Sequence, residues 1–294
     1  MKKIVITIFS LPNDLDYLEL LLIQLNKCSN YIDTNNFSLY VSLSTDDFLI
    51  DWDNSTKDKE TIEKSFFNLK NIVGWNDTTF QIKSNILGAL SNKINAYNDN
   101  LDATHFLWLD PDICFDDKLL INIIESIDKI QDKKYIITPE FVKLWDKTFD
   151  CLVNEKYMYE SSKYCFNNNP FKDSGQKGEV YLEEVINDID ELPNTKFGAG
   201  WATCITKSLL DVIPIPESMG HYGPDDTYIM YQIDNYNKIS NEIKQYKMVN
   251  YIVCENHQKK DIDTFLVKSK NKKDYFKNIA EKEMNRILGT NDIF

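Results

Sequence analysis

The sequence predicts an α/β protein: a mostly parallel central sheet flanked by helices, with one irregular insertion. Three observations predict it. Short β-branched or aromatic runs alternate with stretches of helical periodicity through the first 140 residues. One apolar run stops abruptly in "WLDPD" (108–112), where the carboxyl end of a strand is expected. Residues 141–196, rich in Tyr, Phe, Asn and Lys, then follow neither period before regular signals return. Alternating strands and helices imply parallel pairing through right-handed crossovers. Such sheets bind ligands outside the carboxyl ends of their strands.

"KIVITIF" (3–9) is a continuous apolar run, the mark of a strand buried on both faces. Leu18, Leu21, Leu22 and Leu25 recur at helical spacing after Asp14, a suitable N-cap. "FSLYVSL" (37–43) reads as the next strand, and the charged segment 53–65 as the start of a helix. Ile82, Ile86, Leu90 and Ile94 fall four apart and predict one helix face across 80–97. "THFLWL" (104–109) and "YIIT" (135–138) are strands on either side of a helix bearing Leu120, Ile123, Ile124, Ile127 and Ile130, with Asp116 or Asp117 available to cap it. After the insertion come a strand within 198–206, a short helix ending before Pro214, a helix opening at "PDDTYIMYQI" (224–233), a strand at 247–257 and a lysine-rich amphipathic helix near 274–288.

The 294 residues are 43% hydrophobic, enough for a substantial core, and carry a net charge of −13. That balance argues against nucleic acid, whose phosphates need clustered Lys and Arg. Arg286 is the sole arginine, so phosphate contacts would fall to Lys, backbone N–H groups or a cation. Six scattered cysteines without a C-x-x-C pair suit reduced thiols in the cytoplasm. The N-terminal run meets Pro12 and Asp14 too soon for a signal peptide, and no stretch reaches the roughly 18 apolar residues of a membrane span. The expectation is a soluble, cytoplasmic chain.

Aspartate–x–aspartate occurs five times, at 14/16, 51/53, 110/112, 188/190 and 261/263. Only Asp110 and Asp112 sit at the end of a buried strand, and on extended chain both can face one ligand. Pro111 cannot continue a ladder and stiffens the connection. Two hard oxygen donors suit Mg²⁺ or Mn²⁺. The competing reading is a capping cluster shared with Asp116 and Asp117. Asp225 and Asp226 open a later helix, where the macrodipole favours acids. Capping explains one of them, and the second is placed to act as a general base. His257, at a strand end, is either structural or a metal ligand.

Taken in order, the buried first strand, "WLDPD", "GAGWATCITKSLLDVI", "YGPDDTYIM" and the late "ENH" resemble a GT-A-fold, family-2-like glycosyltransferase with its DXD motif. The resemblance spans most of 1–257. It implies one catalytic domain: a nucleotide-sugar-binding half (1–140), the insertion as lid or acceptor site (141–196), an acceptor half (197–257) and a helical tail (258–294). It implies a divalent cation, Mn²⁺ or Mg²⁺, on Asp112, Asp110 and His257. Ser10, Asp46, Asp47, Asp110, Gly200 and Trp201 would contact the nucleotide sugar. Asp226 would be the base and Asp225 its acceptor-binding neighbour, so that a sugar passes to a glycan or other hydroxyl acceptor with inversion. Pro224 stands where the family often has a second glycine.

Three other functions compete with this resemblance. A nucleotidyltransferase wants a glycine-rich basic loop after the first strand, and "FSLPNDLD" has neither glycine nor lysine. An aspartate phosphatase wants Thr or Val where Cys114 stands. A non-catalytic carbohydrate- or nucleotide-binding protein would keep the fold.

Overall fold

The computed structural model describes residues 3–45, 58–83, 89–141, 152, 164–166, 178–180, 188–192, 202–219 and 225–255, with 278, 282, 283, 285, 286 and 289 near the C-terminus. The sheet runs β3 (Thr78–Lys83), β2 (Phe37–Ser44), β1 (Ile4–Ser10), β4 (His105–Leu109), β10 (Ala202–Thr206), β6 (Lys134–Phe141), β11 (Ile243–Glu255) and β5 (Ile113–Cys114), and β9 (Asp188–Leu192) also pairs with β11. Strands β1, β2, β3, β4, β6 and β11 point one way, and β5, β9 and β10 run against them. A separate pair joins β7 (Tyr164–Phe166) and β8 (Gly178–Val180).

Because side chains alternate along a strand, each face of this sheet needs its own cover. Ile4, Ile6 and Ile8 pack on one side with helices α1 (Leu15–Cys28), α2 (Lys59–Leu69) and α4 (Leu119–Lys129). Val5, Tyr40, Phe106, Trp108 and Ile205 pack on the other with α3 (Ala89–Asp99), α5 (Lys207–Leu210) and α6 (Asp225–Asn237). The four leucines that predicted α1 are fully buried, each contributing roughly 1.5–3 kcal/mol relative to exposure. Asp14 occupies the N-cap position but makes no capping hydrogen bond. Asp58 does cap α2, accepting from the Thr61 N–H at 2.9 Å and its hydroxyl at 2.7 Å.

Several expectations are corrected. Ile82 belongs to β3, not to a helix beginning at 80. "TTFQIK" pairs parallel with β2, and the described part of the next helix begins at Ala89. The fourfold spacing was a coincidence between a strand residue and a helix face, and Ile86 lies outside the described residues. Part of the insertion is regular: β9 pairs along Gln245–Val249 of β11, so Asp188 and Asp190 sit on a strand. Helix α4 starts after Lys118, without a side-chain cap. Asp116 instead accepts from the Lys118 N–H at 2.9 Å and from the Tyr251 hydroxyl, and Asp117 accepts from Tyr31 at 3.2 Å.

β11 breaks its register on β6. Met248 faces Pro139 and Ile252 faces Glu140, so Val249, Asn250 and Tyr251 bulge out of that pairing. Pro139 lacks the N–H that would continue the ladder there. Asn250 takes a φ of 61°, a left-handed conformation that asparagine tolerates better than most residues. The buried Glu140 carboxylate holds the bulge, accepting the Asn250 N–H at 2.9 Å and pairing with Lys247 at 3.0 Å.

Candidate active site

The carboxyl ends of the parallel strands gather the chemistry. β4 ends at Leu109, and Asp110, Pro111 and Asp112 turn the chain into β5, leaving both aspartates half-buried. That turn is anchored on either side. Leu109 pairs with Ala202 of β10, and Ile113 and Cys114 pair with Glu255 and Cys254 of β11. Just beyond, the Phe115 N–H donates to Gln24 of α1 at 3.1 Å. Asp116 and Asp117 hold the turn before α4 through the Lys118 N–H and the Tyr251 and Tyr31 hydroxyls.

Asp225 and Asp226 open α6 on the face that carries Trp108. Asp225 is buried and accepts from Lys93 Nζ at 2.5 Å, an ion pair whose side chains are 11% and 8% exposed. The same ammonium stands 4.4 Å from the centre of the Trp108 ring, where the aromatic face favours a cation. Burial alone would lower the Lys93 pKa, but Asp225, Asp110 and Asp226 outweigh it and raise it. Lys93 is therefore charged, paired with Asp225 and within electrostatic reach of Asp110.

Asp226 behaves differently. It is half-buried, with Oδ1 accepting the Thr227 N–H at 2.6 Å. Burial and then the Asp225 charge push it up to about 6, against the opposing pull of Thr227 and Lys93. Two adjacent carboxylates thus occupy contrasting environments: one locked in an ion pair, one poised to exchange a proton near neutrality.

Lys93 was missed in the sequence reading. Its signal was available: it stands three residues after fully buried Leu90 and three before fully buried Ala96, on the stripe that faces the sheet. The helix carrying it is tied down nearby. Buried Asn92 and Ser42 of β2 lie 2.5 Å apart, and Gln81 of β3 donates to the same hydroxyl at 3.1 Å. Ser10, at the end of β1, is fully buried and donates to the Leu11 carbonyl at 3.1 Å. Asp46, Asp47, Gly200, Trp201 and His257 lie outside the described residues.

No family model matches the sequence, and neither does any curated protein. Among solved structures, glucosyl-3-phosphoglycerate synthase from Mycobacterium tuberculosis, in complex with phosphoglyceric acid, aligns over 99% of this chain and 82% of its own at TM-score 0.50 and 11% identity. The fold is GT-A. S. aureus TarS, residues 1–349 in complex with UDP-GlcNAc, aligns over 98% of this chain and 73% of its own at TM-score 0.47 and 14% identity. Against a longer TarS structure, this chain spans 37% of that chain's length. Lys93 pairs with Asp225 at the start of α6 and lies within electrostatic reach of Asp110 after β4. Among the described residues, no helix is long and apolar enough to cross a membrane.

Proposed function

We propose that this chain is a glycosyltransferase that moves a sugar from a nucleotide-sugar donor to a hydroxyl acceptor. The observation that carries the reading is the pairing, on a GT-A fold, of a carboxylate turn after β4 with an acid pair whose second member is poised near neutrality. A base whose pKa lies close to the working pH combines adequate ionisation with adequate proton affinity. Asp226 would take the acceptor hydroxyl's proton as that oxygen attacks the anomeric carbon. Asp225, held by Lys93, would orient the acceptor. Attack opposite the departing nucleoside diphosphate would invert the sugar.

Asp110 and Asp112 fit a divalent cation held partly by its substrate. Both are half-buried carboxylates on one short, anchored turn. Mg²⁺ and Mn²⁺ commonly bind through one or two carboxylates and complete their shell with phosphates and water. The late histidine of the sequence motif, His257, would be a further ligand. When bound, the cation would neutralise charge developing on the nucleoside diphosphate.

Titration calorimetry with UDP, GDP, CDP and ADP, each with Mn²⁺ and with EDTA, tests the donor side. Cation-dependent heat with one of them supports the reading. No heat with any of the four counts against it.

A further inference from the structure

We infer that Lys93 is a positioning residue for the acid pair: its buried ammonium fixes Asp225 at the start of α6 and, seated on the Trp108 ring, ties that helix to β4, the strand that leads into the Asp110 turn. This rests on the reading of Asp225 and Asp226 as the acid pair of a transfer site, and it assigns a role to a residue outside both acidic motifs.

The geometry argues for a role more specific than packing. Lysine is seldom fully buried without a compensating partner. Here the ammonium meets Asp225 at 2.5 Å and the Trp108 face at 4.4 Å, with Asp110 and Asp226 within electrostatic reach. The charged groups facing Lys93 therefore come from two elements, α6 and the turn after β4. A buried ion pair is a weak source of net stability, because desolvating both charges offsets their attraction. Its value here is in orientation. Adjacent carboxylates repel, and a cation fixed on Asp225 and pulling on Asp226 offsets that repulsion where the two acids open α6. The Ser42–Asn92 contact holds the start of α3, and with it Lys93, against the sheet. Lys93 touches no reacting atom in this account and acts through Asp225 and Asp226.

The test uses the full chain with Lys93→Met, which removes the charge at similar length, and Lys93→Arg, which restores it. Lys93→Gln, keeping a donor for Asp225, replaces the methionine variant if that does not unfold cooperatively. Protein carrying carboxyl-¹³C aspartate is titrated by NMR, with the Asp226 signal assigned from Asp226→Asn. The expected result is that loss of the charge moves the Asp226 midpoint up by about one pH unit, leaving roughly tenfold less ionised base well below the wild-type midpoint and about half as much near neutrality, and that Lys93→Arg recovers most of the change. A folded Lys93→Met or Lys93→Gln protein whose Asp226 midpoint matches the wild type would overturn the inference. Nucleoside diphosphate release from nucleotide sugars, measured in parallel, separates the two readings. If the midpoint moves while the wild type releases none, the transfer reading fails and the Lys93 assignment stands.

Discussion

Lys93 and Asp225, 132 residues apart in sequence, meet as a buried ion pair 2.5 Å across. The contact joins the last helix before the carboxylate turn to the helix that carries the acid pair. With Trp108 of β4 beneath the ammonium, the site is a junction of three elements rather than a loop decorated with acids.

Asp226→Asn keeps the shape of the side chain and removes its ability to accept a proton. Transfer should fall by about 10² to 10⁴, the range that general-base catalysis supplies. Nucleoside diphosphate affinity should stay within about twofold. Steady-state rates beside calorimetric affinities check both, and an active Asn variant would take the base role away from Asp226.

The pH dependence follows from the same residue. Asp226 is raised from 3.8 to about 6, so between those values the folded chain holds a proton that the unfolded chain releases. Its contribution to stability is therefore fully present below 3.8 and lost as pH rises through about 6. Activity moves the other way, because only the ionised form accepts a proton. Rates should climb through about pH 6 to a plateau. Over the same window the wild-type melting temperature should fall relative to that of Asp226→Asn. A rate profile flat from pH 5 to 8 would contradict this.

Asp112→Ala should leave a folded protein whose cation-dependent nucleotide binding is weakened on the order of 100-fold or more, since even outer-shell changes at metal sites cost 10- to 100-fold. Calorimetry with and without Mn²⁺ checks it, with circular dichroism confirming the fold. Equal heats in mutant and wild type would remove Asp112 from the cation site.

Glu140→Ala tests the β11 bulge apart from the chemistry. It strands the Asn250 N–H and the Lys247 ammonium, and loss of such partners costs about 1–3 kcal/mol. The urea midpoint should drop with the slope unchanged. A midpoint equal to that of the wild type would mean the bulge holds without Glu140.

Much of this was legible in the sequence because the responsible physics is local. The leucines of α1, the β-branched run of β1 and the acids at the start of α6 each announce an element through periodicity or position. β3 was misread because Ile82 happens to fall four residues before Ile86, although "TTFQI" carries the strand-forming residue types. β5 and β9 were not foreseen: two residues show no period, and "DIDEL" is a polar strand defined by its pairing with β11. Lys93 escaped for a related reason. A lysine in an amphipathic helix reads as solvated, and only the fold brings Asp225 and Trp108 to it.

Transfer from a nucleotide sugar by the acid pair of α6 can be measured directly. The most direct measurement incubates the wild type and Asp226→Asn with a panel of UDP-, GDP-, CDP- and ADP-sugars in the presence of Mn²⁺ and a mixture of hydroxyl acceptors, and follows nucleoside diphosphate release alongside acceptor mass. The expected result is release from one donor class, a matching gain of one sugar on an acceptor, and the loss of both in Asp226→Asn. Release at equal rates from the two proteins would contradict it.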